Sequence, residues 1–296
     1  MEFTEQMMRP PQEAHSLLLR ATEGCTYNDC HFCYVSRGYS FRAVSEEYLE
    51  KEISKYQPFF PADTKIYLTG SNPFALPTAT LKAYIKILRA HFPLFSELSM
   101  QSRIDDIHGK TPEELNELCA LGLKHLYIGV ESGNNRTLKL MNKGYTAEDA
   151  IAALQSLDKA NIAYTTFYVL GLGGQGTAEE CGRDTANMFN KVHPRRITTT
   201  GLTIFQDTPL AQMVKDVIFV EPSEREKIEE LKIFLETLNI DTYYDGIHYL
   251  NPLNYRLQTG NIQEKTKIIA DIQQILNEYS TADLELMVNR KTMISL

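Results

Sequence analysis

The chain has 296 residues, a formal net charge of −8 and 43% hydrophobic residues, enough for one large α/β domain or two small ones with a real core. An acidic chain of this kind is a poor general binder of nucleic acid, which calls for a basic face. No apolar run is long enough to span a membrane, and residues 1–13 are polar and acidic with no signal-peptide core. Five cysteines, three of them bunched, do not make a disulfide framework and point to a reducing cytoplasm.

Strand and helix patterns alternate from about residue 15 to about 240. The run Ser16 to Ala21 predicts a buried strand that leads into the cysteine loop. Further strands are predicted at Lys65 to Thr69, Glu97 to Met100, His125 to Val130, Tyr164 to Leu170 and Ile197 to Ile204. Leu81, Tyr84, Ile85 and Leu88 recur at helical spacing, with Pro93 beyond the end. Thr111-Pro112-Glu113-Glu114 is a capping box with proline at the first helical position. Thr146 with Asp149, Thr177 with Glu180 and Ser223 with Glu226 mark three more helix starts. Ile228, Leu231, Leu235 and Leu238 form the stripe of the last.

Six strand–helix units predict a parallel sheet with right-handed crossovers, an open, partial (βα)6 TIM-like barrel. After residue 240 the pattern changes. Asp241 to Tyr255 reads as irregular loop, and 261–279 as a helix with Ile268, Ile269, Ile272 and Ile275 on its apolar side. Residues 283–288 read as one more short helix. The division expected is an N-terminal extension (1–14), a barrel core (15–215) and a small helical C-terminal cap (216–296).

Unusual residues fall at the predicted carboxyl ends of the strands, where ligands collect in parallel α/β folds. The first strand runs into Gly24-Cys25-Thr26-Tyr27-Asn28-Asp29-Cys30-His31-Phe32-Cys33-Tyr34. Gly70-Ser71-Asn72 follows the second, Gln101-Ser102-Arg103 the third, Glu131-Ser132-Gly133 the fourth and Gly171-Leu172-Gly173-Gly174 the fifth. Three thiolates are one fewer than a closed iron–sulfur or zinc site takes, so a four-iron cluster on Cys25, Cys30 and Cys33 would leave one iron open.

Together these segments resemble the radical S-adenosylmethionine (SAM) enzymes, in the class of the Elongator catalytic subunit, the methylthiotransferases and oxygen-independent coproporphyrinogen oxidase. The resemblance covers roughly residues 15–215. It rests on the cysteine loop, on Gly129-Val130-Glu131-Ser132-Gly133 and on Leu138-Lys139-Leu140-Met141-Asn142-Lys143-Gly144. The spacing C-x4-C-x2-C is one residue longer in its first arm than the family's commonest form.

The resemblance implies that Cys25, Cys30 and Cys33 ligate a [4Fe–4S] cluster whose fourth iron binds SAM. It implies adenine contacts from backbone beside Phe32 and Tyr34 and from the strand end at Leu170 and Gly171. Gly70, Ser71 and Asn72 take the place of the family's Gly-Gly-Glu segment, so the backbone role toward the SAM amine carries over. Arg103 would neutralise the SAM carboxylate, and Glu131 would accept from a ribose hydroxyl. Reductive cleavage of SAM would give a 5′-deoxyadenosyl radical that abstracts hydrogen from substrate. No residue is assigned a catalytic role of its own.

A small organic substrate and a low-potential donor of flavodoxin or ferredoxin type are the partners expected, with no membrane and no nucleic acid. No auxiliary-cluster extension, nucleic-acid-binding β-barrel or cobalamin domain is visible in the sequence. Radical modification of RNA or of a protein side chain is the alternative. A non-catalytic iron–sulfur electron carrier and a zinc-stapled scaffold are the readings from other classes. Arg103 could instead pair with Asp105 or Asp106 at the surface, and Glu131 could be a solvated strand-end carboxylate. His31 reads as exposed and not a ligand, Cys119 and Cys181 as buried helix cysteines. Tyr243, Tyr244, Asn251, Asn254 and Tyr255 are either substrate positions or an ordinary polar loop.

Overall fold

A computed structural model describes residues 3–290; Met1, Glu2 and residues 291–296, the outer ends of the extension and the cap, lie outside it. The apolar run after Ser16 becomes β1 (Leu17–Arg20). A short antiparallel ribbon, β2 (Thr22–Glu23) with β3 (Arg42–Ala43), brackets residues 24–41. Then come α1 (Glu46–Tyr56), β4 (Lys65–Thr69), α2 (Thr78–His91), β5 (Glu97–Ser102), α3 (Ile104–His108), α4 (Pro112–Leu121) and β6 (Leu123–Glu131). They are followed by α5 (Asn135–Leu140), α6 (Ala147–Lys159), β7 (Ala163–Leu170), α7 (Ala178–Phe189), β8 (Arg196–Gly201), α8 (Pro209–Lys215) and α9 (Glu224–Thr237). The last elements are β9 (Tyr243–Asp245), β10 (Arg256–Gln258), α10 (Ile262–Glu278) and α11 (Thr281–Glu285).

Among the described residues the main sheet has eight strands in the order β1-β4-β5-β6-β7-β8-β9-β10. The pairs β1–β4, β4–β5, β5–β6, β7–β8 and β8–β9 are parallel, and β10 closes the order antiparallel to β9. The six strands expected are all present. The two additional ones are β9, within the residues read as irregular loop, and β10, just beyond them. Each is three residues long, too short for a period-two pattern to show. They form because β8 offers a free edge, on which Arg196 pairs with Tyr243 and Ile197 with the fully buried Tyr244.

The chain divides into two compact units. The first comprises residues 1–28, 35–128 and 153–164. Its β4 buries Ile66, Tyr67 and Leu68 completely, as a parallel strand covered on both faces must. The predicted stripe of α2 (Leu81, Tyr84, Ile85 and Leu88) is buried with them, each side chain worth about 1.5–3 kcal/mol. The Thr111 capping box forms in both directions: Glu114 N–H donates to Thr111 Oγ1 at 3.2 Å, and Thr111 N–H donates to Glu114 Oε2 at 2.8 Å. Ahead of β1, Glu13 is buried, and its Oε1 accepts from Ser99 Oγ at 2.8 Å and Tyr127 Oη at 2.7 Å. A carboxylate so buried is tolerable only with such donors.

The second unit comprises residues 29–34, 129–152 and 165–296. Ile228, Leu231 and Leu235 of α9 are buried with Leu238. In α10 the buried positions are Ile268, Ile272 and Leu276, whereas Ile269 and Ile275 are half-buried. The Thr146–Asp149 and Ser223–Glu226 starts are reciprocal hydrogen-bonded boxes. Thr177 is different: its hydroxyl turns back to donate to Gly174 O at 2.7 Å, and it does not cap α7. The final helix begins earlier than expected because Ser280 caps it. Among the described residues no helix is long and apolar enough to cross a membrane.

Candidate functional site

In the first unit the cysteine loop leaves β2 at Gly24. Cys25 is half-buried, and the next residue is held by one amide: Thr26 N–H donates to Asn72 Oδ1 at 3.2 Å, and Asn72 Nδ2 donates to Thr26 Oγ1 at 2.6 Å. The longer first arm turns at Asn28, which has φ 49° and whose Nδ2 donates to Tyr39 O at 3.1 Å. Asparagine is among the few residues that adopt this left-handed conformation readily.

The strand ends after β4 and β5 meet the same arm. Gly70 has φ 141°, and a Cβ there would lie 2.7 Å from Thr22 O, so only glycine fits. Asn72, fully buried, also donates from Nδ2 to Asp106 at 3.1–3.2 Å. Asp106 Oδ2 accepts from Arg103 N–H at 2.7 Å. Burial pushes the Asp106 carboxyl up to about 6, and the hydrogen bonds from Arg103 and Asn72 only partly offset it. Arg103 does pair with an aspartate, Nη2 to Asp105 Oδ2 at 2.7 Å, but it is no surface residue. It is 7% exposed, and its guanidinium lies 4.2 Å from the centre of the Tyr27 ring.

In the second unit the remainder of the loop, residues 29–34, is docked on the Leu138–Gly144 segment. Asn142, at φ 50°, donates from Nδ2 to Asp29 O at 3.0 Å and Oδ2 at 2.7 Å. His31 N–H donates to Met141 O at 3.0 Å, and Leu210 N–H donates to His31 O at 3.0 Å. His31 Nδ1 is 2.8 Å from Leu140 O. A carbonyl only accepts, so Nδ1 carries the proton. The expected exposed histidine is therefore a half-buried anchor of the loop. Cys33 N–H donates to Cys30 O at 3.3 Å, and Cys30 is buried. Phe32 packs on a core of Met141, Leu172, Leu202, Leu210 and Phe219, and the Tyr34 ring lies 4.1 Å from that of Phe205.

Glu131 ends β6 with φ 67°, a strained conformation for glutamate that costs of order 1–3 kcal/mol. Its carboxylate folds back over Gly129, where a Cβ would meet Oε1 at 2.3 Å. There it stands 3.5 Å from Lys143 Nζ, so it is a paired, largely buried group and not a solvated one. Lys143 is 3% exposed. Its ammonium also donates to Gly129 O at 3.2 Å and lies 5.7 Å from the Phe32 ring centre and 5.4 Å from that of Tyr145. At the end of β7, Leu170 O accepts from Leu202 N–H at 2.8 Å, and Gly171 N–H donates to Glu230 Oε2 at 2.9 Å. Burial raises the Glu230 carboxyl.

Three of the late polar candidates make hydrogen bonds within the second unit. Tyr244 Oη is 2.7 Å from Thr199 Oγ1, Asn251 Nδ2 donates to Thr199 O and Gly246 O, and Asn254 Oδ1 accepts from His248 N–H. Cys181 is buried beside Thr137, and burial lifts its thiol to about 11. Cys119 is only half-buried, with Sγ 3.7 Å from Asn161 O and from Lys124 Nζ, because it lies at the rim of α4. Sequence reasoning gave no role to Lys143 or Tyr27, and offered Asp106 only as a surface partner of Arg103. Both lie inside segments it singled out, Lys143 in Leu138–Gly144 and Tyr27 in the cysteine loop.

None of the five cysteines is in a disulfide. Among the described residues no three His, Cys, Asp or Glu side chains meet in metal-binding geometry, the three loop cysteines included. The donor chemistry nevertheless fits an iron–sulfur group: three soft thiols between residues 25 and 33, on a backbone held by hydrogen bonds at Thr26, His31 and Cys33.

Comparison with known proteins agrees with this chemistry. A sequence profile described as the Radical SAM superfamily matches residues 19–180, more than half of the chain. The chain is 25% identical over 202 residues to a tRNA-2-methylthio-N(6)-dimethylallyladenosine synthase of Alkaliphilus oremlandii (strain OhILAs), covering 64% of this chain and 41% of that one. It spans half or less of the length of the first such relatives it matches. Coproporphyrinogen III oxidase from Escherichia coli, a radical SAM enzyme, superposes with TM-score 0.58 at 22% identity, over 75% of this chain and 52% of that one. Methylornithine synthase superposes with TM-score 0.53 at 13% identity, over 92% and 85%. These likenesses place the mostly parallel α/β sheet with the TIM-like partial barrels. By the match of that profile to more than half of its length, the chain belongs to the radical SAM superfamily, enzymes that work with a [4Fe–4S] cluster and S-adenosylmethionine.

Proposed function

We propose that this protein cleaves SAM reductively and uses the resulting radical to abstract hydrogen from a small organic substrate. The observation that carries the reading is the cysteine loop, three thiols outside any disulfide on a backbone pinned by Thr26 in one unit and by His31 in the other. When bound, the cluster supplies the low-potential electron that splits SAM into methionine and the 5′-deoxyadenosyl radical.

The chain's own residues bind and orient. Cys25, Cys30 and Cys33 hold the cluster. Arg103, preset by Asp105 and the Tyr27 ring, would neutralise the SAM carboxylate with its guanidinium fork. Glu131 accepts from the ribose. Backbone at Gly70, Ser71 and Asn72 receives the amine, and backbone beside Phe32, Tyr34, Leu170 and Gly171 lines the adenine. A flavodoxin- or ferredoxin-type protein delivers the electron, and the cytoplasm supplies the reducing surroundings.

The relatives favour a second reading. The first matches are named as tRNA-modifying synthases, so an RNA substrate is the alternative. The net charge of −8 weighs against it.

Anaerobic reconstitution followed by electron paramagnetic resonance with and without SAM tests the core of the proposal. Reduced protein should also release 5′-deoxyadenosine slowly without substrate. A cluster spectrum indifferent to SAM, with no 5′-deoxyadenosine above a protein-free control, would leave an electron carrier. Stoichiometric zinc in a colourless protein would leave a scaffold.

A further inference from the structure

The segment ahead of β1 folds back so that one carboxylate reaches three places in the first unit. Glu5 is 4% exposed. Its Oε2 accepts from Gly24 N–H at 2.9 Å, and its Oε1 accepts from Ser36 Oγ and from Ser71 Oγ, each at 2.9 Å. Gly24 immediately precedes Cys25. Ser71 is the middle residue of the segment assigned to the SAM amine. Ser36 lies just beyond the cysteine loop.

Glu5 is in turn fixed by its own backbone. Its N–H donates to Glu23 Oε1 at 2.9 Å, as the N–H of Thr4 does at 2.7 Å, and its carbonyl accepts from Arg20 Nη2 at 2.6 Å. A buried carboxylate that takes three neutral donors is strongly directional, because each bond lost leaves charge uncompensated. Neither a helix nor a strand supplies these contacts; a side chain from outside the sheet does.

We propose that Glu5 is a positioning residue for SAM: it sets where Gly24 and Ser71 stand, and with them the first arm of the cysteine loop and the backbone that receives the amino group. This rests on the function proposed above. The shape of the carboxylate matters as well as its charge. Glutamine keeps one acceptor oxygen but turns an NH2 toward a donor, so it should serve less well than glutamate and better than alanine.

The test uses full-length, anaerobically reconstituted protein. Iron content, thermal unfolding and the SAM dissociation constant, from titration of the cluster spectrum, are measured for wild type, Glu5→Gln, Glu5→Ala and Glu13→Gln. Glu13 is the other buried carboxylate of the same segment, but it bonds Ser99 and Tyr127 and touches no proposed SAM residue. SAM binding should weaken roughly tenfold in Glu5→Ala and less in Glu5→Gln, at wild-type iron content. Glu13→Gln should lower the unfolding temperature and leave the dissociation constant within about twofold.

If Glu5→Ala gives too little folded protein, Ser71→Ala removes the other end of one bond and should show the same loss. The double variant Glu5→Gln/Ser71→Ala should then be no worse than the weaker-binding single variant. Wild-type affinity in the Glu5 variants and in Ser71→Ala overturns the inference alone. A wild-type cluster that ignores SAM overturns the proposed function and this inference with it.

Discussion

Lys143 Nζ stands 3.5 Å from the Glu131 carboxylate, 3.2 Å from Gly129 O and 5.7 Å from the centre of the Phe32 ring. One buried ammonium thus ties the end of β6 to the aromatic residue of the cysteine loop. It also offsets the charge of a glutamate held in a strained backbone conformation.

Lys143→Ala should therefore act on two measurable properties. Removing one member of a largely buried pair leaves the other uncompensated, and thermal or denaturant unfolding should show a loss of roughly 3 kcal/mol. The Glu131 carboxylate, released from its place over Gly129, should also bind SAM more weakly. Lys143→Arg keeps the charge and should restore part of both. Wild-type stability in Lys143→Ala would mean the pair contributes nothing.

For Glu131, replacement by Ala should weaken SAM binding while sparing the iron. A hydrogen bond to a charged group is worth about 1.5–3 kcal/mol, roughly ten- to hundredfold in affinity. Glu131→Gln keeps an acceptor and should be milder. Because φ is 67°, Glu131→Gly should be more stable than Glu131→Ala by about 1 kcal/mol. Equal melting temperatures for the two would show that the strain is relieved in solution.

Arg103→Ala should impair the same binding step, and Arg103→Lys should recover only part of it, because an ammonium keeps the charge but loses the fork and the stacking on Tyr27. The readout is the cluster spectrum titrated with SAM. An unchanged titration in Arg103→Ala would remove the residue from the site.

Single replacement of Cys25, Cys30 or Cys33 by Ala should abolish the four-iron chromophore and SAM cleavage. Cys181→Ala should keep both at a modest cost in stability, since it removes a small buried side chain. Cys119→Ala, at the rim, should be close to neutral. Full iron content in Cys30→Ala would contradict the ligand assignment.

Asp106 gives a dependence on pH. In the folded protein it holds its proton up to about pH 6, against an ordinary value of 3.8. Between those values the folded state binds more protons than the unfolded state, so stability falls as pH rises through the window and levels off above it. The full effect is of order 3 kcal/mol. Asp106→Asn should flatten this part of the stability–pH curve. An identical slope in both proteins would assign the titration to another group.

How much was legible follows from what burial does to particular residues. The six longer strands declared themselves because they are four to nine residues long, whereas β9 and β10 are three residues each and exist through their neighbours. The cysteine loop was legible from spacing alone. Lys143 was not: a lysine between asparagine and glycine looks like a solvated turn, and only tertiary packing brings it under two aromatic rings. His31 likewise reads as exposed until the carbonyls of Leu140 and Met141 are seen to face it. Thr177 had the right type and place for a cap, but its backbone, at φ −107° and ψ 0°, lies outside the extended conformation from which an N-cap side chain accepts.

The bonds of Glu13 join residues 86 and 114 positions apart in the chain. Ser99 and Tyr127 are synthesised long after it, so Glu13 cannot complete these two bonds until β5 and β6 are in place. Contacts of such long range form late. Amide protons of residues 13–16 should accordingly be among the last in the first unit to gain protection during refolding, after those of β4 and β5.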